Sequence, residues 1–482
     1  MPHTPRKATA LLASAVTVCL LAAAAPAEPL GVGDRLFPHL GNPGYDVASY
    51  DLSFTYSGSN SKPLQAVTTI DAWTTEALDR VNLDFSHGEV QSVELDGAPA
   101  AFTTAGEDLV VTPEDPLPSG SWLRITVRHT SDPMPAKNRD GGWLRTADGL
   151  AMANQADAAH LVFPANDHPS DKAMFTIRVT VPNGYTAVAN GLPTDVDRSR
   201  AATTWTYRTQ HPMATELAQV SVGRSSVVRR TGPHGLPVRD VVPTKDRERL
   251  EPWLAKTPDQ ISWLEGKVGR YPFETYGVLM ADVDTGFELE TQTLSLFEKD
   301  LFTERAYPAW YVESIMVHEL SHQWFGDSVS PRTWSDVWLN EGHATWYEAL
   351  YAEEKADRPL QARMKAAYGA SDRWRAAGGP PAAPKVPESG QKIGIFRPNV
   401  YDGGALILYA LRQEIGRPAF ERLERAWLAR HQDGVAGTDD FVALASEISG
   451  RDLSGFFHPW LYGEKTPPMP GHPDWKPVAP VK

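Results

Sequence analysis

The spacing of apolar residues changes near Pro243 and divides the chain into two parts. From about residue 45 to 230, apolar and polar residues alternate in short runs separated by Gly, Pro, Asp and Ser, which predicts antiparallel strands. The clearest run is 174–181, which ends at Pro182-Asn183-Gly184. Further along, apolar residues recur at helical spacing, with one strand predicted near 276–282. The predicted helices lie at about 247–268, 308–325, 334–355, 403–415, 418–431 and 439–447.

These patterns predict a multidomain chain. We expect a mostly antiparallel β domain over residues 28–235, an α+β domain over 236–466 and a Pro-rich tail over 467–482. The tail is expected to be poorly ordered. A length of 482 residues agrees with two or three domains.

The first 27 residues have the features of a secretory signal peptide. Arg6 and Lys7 precede an apolar stretch over 8–25, and Ala25-Pro26-Ala27 fits a small-x-small cleavage site. We therefore expect a secreted protein without stable membrane insertion after cleavage. An uncleaved membrane anchor is the alternative, although the stretch is barely long enough to span a bilayer. Cys19, the single cysteine, lies in this segment, so the mature chain is expected to use neither disulfides nor thiol catalysis.

Composition and charge narrow the classes of partner. With 41% hydrophobic and 22% charged residues, the chain has the composition of a globular protein. The formal net charge is −14, and no basic block is present that would follow a phosphate backbone. Nucleic acid is therefore not an expected partner.

The strongest chemical signal is the segment His318-Glu319-Leu320-Ser321-His322. Two histidines four positions apart lie on one face of a helix, so both rings can bind one Zn²⁺ at about 2.0–2.1 Å. Glu319 is then placed to act as a general base and not as a ligand. Eighteen residues separate His322 from Glu341, which brings a carboxylate back on a second helix. Two histidines, one glutamate and an open fourth position are typical of a catalytic site with one Zn²⁺ per chain.

Two neighbours of the motif have less certain roles. Glu348, seven positions after Glu341 on the same helix face, either accepts a hydrogen bond from a ligating histidine or faces solvent. His343 has no ligand-like spacing, and we expect it to be structural. Thr333 and Asp336 predict a capping box at the start of the second helix.

Several segments around the zinc motif occur in an order that a known family shares. They are Phe163-Pro164-Ala165-Asn166-Asp167, Tyr271-Pro272-Phe273, the zinc motif itself, Trp338-Leu339-Asn340-Glu341-Gly342 and Tyr401-Asp402-Gly403-Gly404-Ala405. Together they resemble the gluzincin aminopeptidases of the aminopeptidase N type. The resemblance covers most of the mature chain and implies a saddle-like β domain followed by a thermolysin-like catalytic domain. It also implies a zinc aminopeptidase acting on peptides with a free N-terminus, here without the helical roof domain of many relatives.

The resemblance assigns roles to further residues. Tyr401 corresponds to a tyrosine whose hydroxyl stabilises the tetrahedral oxyanion. Glu290 corresponds to the glutamate that binds the α-amine of the substrate. The family's Gly-x-Met-Glu-Asn is Phe287-Glu288-Leu289-Glu290-Thr291 here, so Glu288 is a second candidate for the amine. Gln155 resembles the glutamine that the β domain contributes to the substrate site.

Two alternatives to an aminopeptidase remain at this point. The altered amine-binding segment and the expected open cleft also suit an endopeptidase or a dipeptide-releasing variant of the same fold. A non-catalytic peptide-binding protein is a different class, but such a protein would not need Glu319.

Overall fold

The computed structural model describes residues 28–133, 141–304, 306–386 and 392–478. The predicted signal peptide lies outside these residues. Within the described ranges, no helix combines the length and the apolar character needed to cross a membrane.

The strands of the first half form three sheets within the described residues. They are β1 (Tyr45–Thr55), β2 (Leu64–Thr74), β3 (Val81–Asp84), β4 (Val90–Leu95), β5 (Ala98–Pro99), β6 (Ala101–Ala105), β7 (Asp108–Thr112), β8 (Trp122–Ser131), β9 (Gly142–Arg145), β10 (Leu150–Ala153), β11 (Met174–Pro182), β12 (Thr186–Ala189), β13 (Leu192–Arg198), β14 (Ala202–Arg208) and β15 (Val220–Gly223). The largest sheet has eight strands in the order β13-β14-β11-β1-β2-β8-β4-β5. Its pairs are antiparallel except β1 with β11, which is parallel.

Alternation explains why these strands were predictable. In β1 and β11, Tyr50 pairs with Phe175 and Leu52 with Ile177, and all four side chains are buried on one face. The residues between them are partly exposed, as a sheet with one buried face requires. The predicted β-rich first half is therefore confirmed.

The second half combines a four-stranded sheet with helices. Its strands are β16 (Ser225–Thr231), β17 (Pro237–Pro243), β18 (Val278–Ala281) and β19 (Ser295–Glu298), with a short pair β20 (Ser330–Pro331) and β21 (Val435–Ala436). The helices are α1 (Arg247–Leu254), α2 (Thr257–Val268), α3 (Lys299–Thr303), α4 (Ala309–His322), α5 (Trp338–Ala356), α6 (Leu360–Gly378), α7 (Tyr401–Ile415), α8 (Arg417–His431), α9 (Thr438–Ser449) and α10 (Ser454–Tyr462). The four-stranded sheet begins at Ser225, ahead of the predicted domain boundary at residue 235.

Several helices of the second half differ from the expected pattern. The helix predicted over 247–268 is two helices, because Pro258 has no N–H to bond the carbonyl of Leu254. The helices α3, α6 and α10 were not predicted. The buried face of α6 includes Ser371 and Arg375 among its apolar residues, which weakens the apolar periodicity.

The expectation of a poorly ordered tail is wrong for residues 467–478. Met469 and Trp475 are buried against the helical half. The ring of Trp475 stacks on His472 at 4.2 Å and on Tyr409 at 5.8 Å between centroids. The hydroxyl of Tyr409 lies 2.9 Å from Nε2 of His472. The high proline content suggested disorder, but the aromatic residues His472 and Trp475 hold this segment against the helical half.

The two halves share contacts of both apolar and polar kinds. Leu279 and Leu296 of the second sheet belong to the core of the β half. Lys172, which follows β10 and precedes β11, donates through Nζ to the carbonyl oxygens of Asp327 (2.7 Å) and Ser328 (3.0 Å). Polar contacts of the β half therefore reach the turn that follows the predicted zinc-binding helix.

Candidate metal centre and substrate cleft

The predicted zinc ligands meet between α4 and α5. His318 and His322 lie one turn apart on α4, with ring centroids 5.0 Å apart. Glu341 lies in the first turn of α5. Its Oε2 is 3.4 Å from Nε2 of His318 and 3.6 Å from Nε2 of His322. All three side chains are buried.

These distances fit one tetrahedral metal ion. Ligand atoms bound to Zn²⁺ at about 2.0–2.2 Å are separated by about 3.3–3.6 Å along the edges of the tetrahedron. In addition, Oε2 of Glu341 is buried and accepts no hydrogen bond from the described residues. A buried carboxylate oxygen without a donor is costly, and a cation at the shared point would satisfy it. The three residues therefore fit Zn²⁺.

Each histidine is oriented by a hydrogen bond from its other ring nitrogen. Nδ1 of His318 lies 3.2 Å from Oε2 of Glu348, and Nδ1 of His322 lies 3.1 Å from the carbonyl oxygen of Phe325. Both partners are acceptors, so each Nδ1 carries the proton and each Nε2 lone pair faces the metal position. Of the two roles open for Glu348, the structure places it in contact with a ligating histidine.

Glu348 is itself held in a charged network. Nη1 of Arg363 donates to Oε1 of Glu348 at 2.6 Å, and Nε of Arg363 donates to Asp402 at 3.1 Å. Burial alone would raise the pKa of Glu348, but the Arg363 charge and the contact with His318 lower it to about 2. Glu348 therefore stays ionised beside the histidine.

Glu319 is buried next to the triad without being part of it. A carboxylate oxygen of Glu319 lies within 4.8 Å of ligand atoms of Glu290 and His322, so Glu319 faces the cleft. Burial raises the pKa of Glu319 to about 8, while His318 and His322 act in the opposite direction. This is the environment that a general base needs near neutral pH.

Tyr401 reaches the centre because two helices cross closely. It is the first residue of α7, and its ring stacks on that of His318 at 5.9 Å and 25°. A Cβ added to Gly404 would lie 2.7 Å from Cα of Gly342, so only glycine permits this approach of α7 to α5. The role of these glycines was missed, although both stand inside predicted helices, where glycine is unfavourable.

The predicted amine-binding residues lie beside His322. Oε1 of Glu290 is 3.9 Å from Nδ1 of His322, and it accepts a 2.7 Å hydrogen bond from Nε2 of Gln155. Gln155 comes from the β half and Glu290 from the segment between β18 and β19. Glu288 also lines the cleft, but its Oε2 accepts a hydrogen bond from the backbone N–H of Glu298 at 2.7 Å. Glu290 is thus the better placed of the two glutamates.

Gln323 connects the end of the metal-binding helix to the segment that carries Glu290. The sequence analysis did not identify this residue. Its Nε2 donates to the carbonyl oxygen of Glu290 (3.0 Å) and to Asp327 (2.8 Å). Its Oε1 accepts from the N–H of Thr293 (2.8 Å) and the hydroxyl of Tyr271 (3.1 Å). A fully buried glutamine after His322 therefore fixes the Glu290 segment to α4. The available signal was a polar residue directly before the apolar pair 324–325.

The triad, Glu319, Tyr401 and the amine-binding pair line one cleft of about 840 Å³. Every residue predicted for the site is among those that line it. The arrangement places a metal position, a base, a hydroxyl donor and an amine-binding carboxylate around one volume.

Comparison with known proteins gives two matches to domain families. Residues 47–217 match the peptidase M1 N-terminal domain, and residues 261–460 match the peptidase family M1 domain. Among curated relatives, aminopeptidase 2 of Candida albicans is 24% identical over 434 residues, covering 85% of this chain and 45% of the relative. Aminopeptidase N of Streptomyces lividans is 23% identical, covering 86% of this chain and 50% of the relative. The chain thus spans about half the length of these relatives.

Solved structures match over nearly the whole length of both chains. An M1 zinc metallopeptidase from Deinococcus radiodurans has a TM-score of 0.78 and 28% identity, covering 94% of this chain and 100% of the other. A Glu-to-Ala mutant of that peptidase bound to a Tyr-Ser-Ala substrate has a TM-score of 0.77 and 29% identity, covering 92% and 100%. The predicted two-part architecture is therefore confirmed.

Proposed function

The chain belongs to peptidase family M1, a family of zinc metallopeptidases, and we propose that it is an exported aminopeptidase that removes the N-terminal residue of peptides. The observation that carries the proposal is the 2.7 Å hydrogen bond between Gln155 and Glu290, directly beside the metal centre. An aminopeptidase must bind a cationic amine one residue from the scissile bond. A fixed, buried carboxylate does so through a charge-assisted hydrogen bond.

In this proposal, His318, His322 and Glu341 hold the Zn²⁺. When bound, Zn²⁺ supplies the Lewis acidity that polarises the scissile carbonyl and makes a water acidic enough to be deprotonated near neutral pH. Glu319 takes a proton from the attacking water and passes it to the leaving amine.

Tyr401 supplies the donor for the oxyanion. Burial, with the nearby Glu341, Glu290 and Glu319, raises the pKa of Tyr401 well above its usual value. Its hydroxyl therefore stays protonated at working pH and can donate a hydrogen bond to the negative oxygen of the tetrahedral state.

Ligands of the matching solved structures support a substrate with a free amino group. The mutant from Deinococcus radiodurans was solved with the tripeptide Tyr-Ser-Ala, and Glu-to-Ala mutants of a two-domain M1 zinc metallopeptidase were solved with L-tryptophan and with L-arginine. Each is compatible with an amine held by Glu290 and Gln155. Export is supported by the sequence of residues 1–27, and N-terminal sequencing of the secreted chain tests it.

One assay tests the aminopeptidase proposal. A short peptide with a free N-terminus and the same peptide N-acetylated are offered to the enzyme, with and without a chelator. We expect cleavage of the free peptide only, lost on chelation and restored by Zn²⁺. Equal cleavage of both peptides would favour the endopeptidase alternative. A Glu319→Gln variant that binds peptide without turnover separates catalysis from simple peptide binding.

A further inference from the structure

The cleft has a direction, because α4 and α5 run side by side in opposite senses along its floor. Contacts of α4 with α5, and with Arg358 two residues beyond the end of α5, follow one another in order from the carboxyl end of α4 to its amino end. They are Glu341 with His322 (3.6 Å), Glu348 with His318 (3.2 Å), Tyr351 with Glu313 (3.4 Å) and Arg358 with Trp310 (4.7 Å). The cleft therefore has one end near His322 and the other near Trp310.

The amine end of the cleft is the His322 end, because Glu290 lies 3.9 Å from that ring. A peptide anchored there by its first residue crosses the metal position next. Its remaining residues then continue along α4 toward the amino end. Tyr311 and Ile315 line the cleft on this side, and Ala352 of α5 lies among the residues that face them.

A cation without a carboxylate partner lies at the far end. Arg358 lines the cleft, its side chain is exposed, and its guanidinium carbon is 4.7 Å from the ring centroid of Trp310. No carboxylate among the described residues forms an ion pair with Arg358. By contrast, the charge of Arg363 in the same cleft is neutralised by Glu348 and Asp402.

This arrangement matches the chemistry of a peptide C-terminus. A guanidinium held flat against an aromatic ring keeps its hydrogen-bonding edge available for a carboxylate. The stretch of α4 from Trp310 to His322 is about 18 Å long at about 1.5 Å per residue. An extended peptide advances about 3.3–3.4 Å per residue, so about five residues span that length.

We infer that Arg358 binds the C-terminal carboxylate of the substrate, so that the enzyme prefers free-acid peptides of about five residues. The inference rests on the proposed aminopeptidase function, since it assumes that the first residue is held at Glu290. The binding step is an ion pair on a partly solvated rim, so we expect a moderate effect.

The test compares pentapeptides that end in a free carboxylate with the same pentapeptides ending in an amide. For the zinc-loaded wild type, we expect kcat/KM to be about three- to tenfold higher for the acid, mainly through KM. Arg358→Ala should abolish the difference, and Arg358→Lys should restore part of it. Arg373→Ala, which removes an exposed arginine of α6 outside the cleft, should preserve it. The acid preference should also shrink at high ionic strength.

Two further arms separate this inference from the proposed function. An aminoacyl p-nitroanilide is too short to reach Arg358, so wild type and Arg358→Ala should hydrolyse it equally. No hydrolysis of that anilide or of any free-amine peptide would reject the aminopeptidase itself. Normal anilide hydrolysis without an acid preference would reject only the role of Arg358.

Two further outcomes test which arginine binds the carboxylate and how long the preferred peptide is. A preference that persists in Arg358→Ala but vanishes in Arg397→Ala would overturn the assignment, because Arg397 is a second arginine lining the cleft. An Arg358-dependent preference that is as large for dipeptides as for pentapeptides would overturn the proposed length.

Discussion

The two ends of the catalytic centre are built in different ways. The metal end uses side chains of two regular helices, with His318 and His322 each oriented by an acceptor on Nδ1. The amine end uses Glu290 on an irregular segment, held by Gln323, which directly follows α4, and by Gln155 from the other half of the molecule. Metal chemistry therefore depends on local helix geometry, whereas recognition of the peptide end depends on the assembly of two domains.

The largest effect is expected from substitutions at the metal end, where a variant of the general base can be compared with a variant of a zinc ligand. Glu319→Gln should lower kcat by about 10²–10⁴-fold while leaving one zinc per chain, because the base is lost and the ligands remain. Glu341→Ala should lose zinc as well as activity. Metal analysis and steady-state kinetics on the same preparations check both. Near-normal turnover in Glu319→Gln would refute the general-base role.

The next largest effect is expected from a substitution at the amine end, which should leave the metal end intact. Glu290→Gln should lower kcat/KM for free-amine peptides by about 10²-fold, because a buried charge partner of the substrate is removed. Its zinc content should equal that of the wild type. Loss of zinc in this variant would show that the two ends are not independent. Glu288→Gln is the matched comparison, and we expect it to have a smaller effect.

A smaller effect is expected from removing the carboxylate that orients a zinc-binding histidine. Glu348→Gln should weaken zinc binding by about 10- to 100-fold, because the charge that orients His318 is lost. Competition with a chromogenic chelator measures the affinity. Glu354→Gln, on the same helix but outside the metal centre, is the control. Unchanged zinc affinity in Glu348→Gln would mean that the hydrogen bond from His318 does not tune the metal.

The smallest effect should come from the contact between the two domains. Gln155→Ala should raise KM for free-amine peptides by about three- to tenfold, since one hydrogen bond to Glu290 is removed. Zinc content and kcat should change little. A loss of kcat as large as that of Glu290→Gln would place Gln155 in the chemical step.

The same contrast explains what the sequence could predict. His318 and His322 were predicted because helical spacing places both on one face, and Glu341 because the eighteen residues after His322 allow a second helix to bring a carboxylate back. The β half was found because residues such as Leu52 and Ile177 alternate with exposed ones. Gln323 could not be assigned, since its four partners come from three segments, near residues 271, 290–293 and 327, that only the fold brings together.

Other differences also have local physical causes. The Thr333–Asp336 capping box is present as predicted, but it caps a single 3-10 turn ahead of α5. The tail was expected to be poorly ordered because it is rich in proline, whereas Trp475 and His472 anchor it. The family resemblance, and not residue spacing, pointed to Gln155, because nothing in the local sequence links it to Glu290.

Lys172 offers a way to observe the two halves in solution. Its amine is enclosed by the carbonyl oxygens of Asp327 and Ser328, and burial lowers its pKa to about 8 despite the nearby Asp433 and Asp327. While the two halves are in contact the amine is shielded from reagents, and separation of the halves would expose it. Its rate of acylation by an amine-reactive probe therefore reports how often the two domains separate, independently of any turnover measurement.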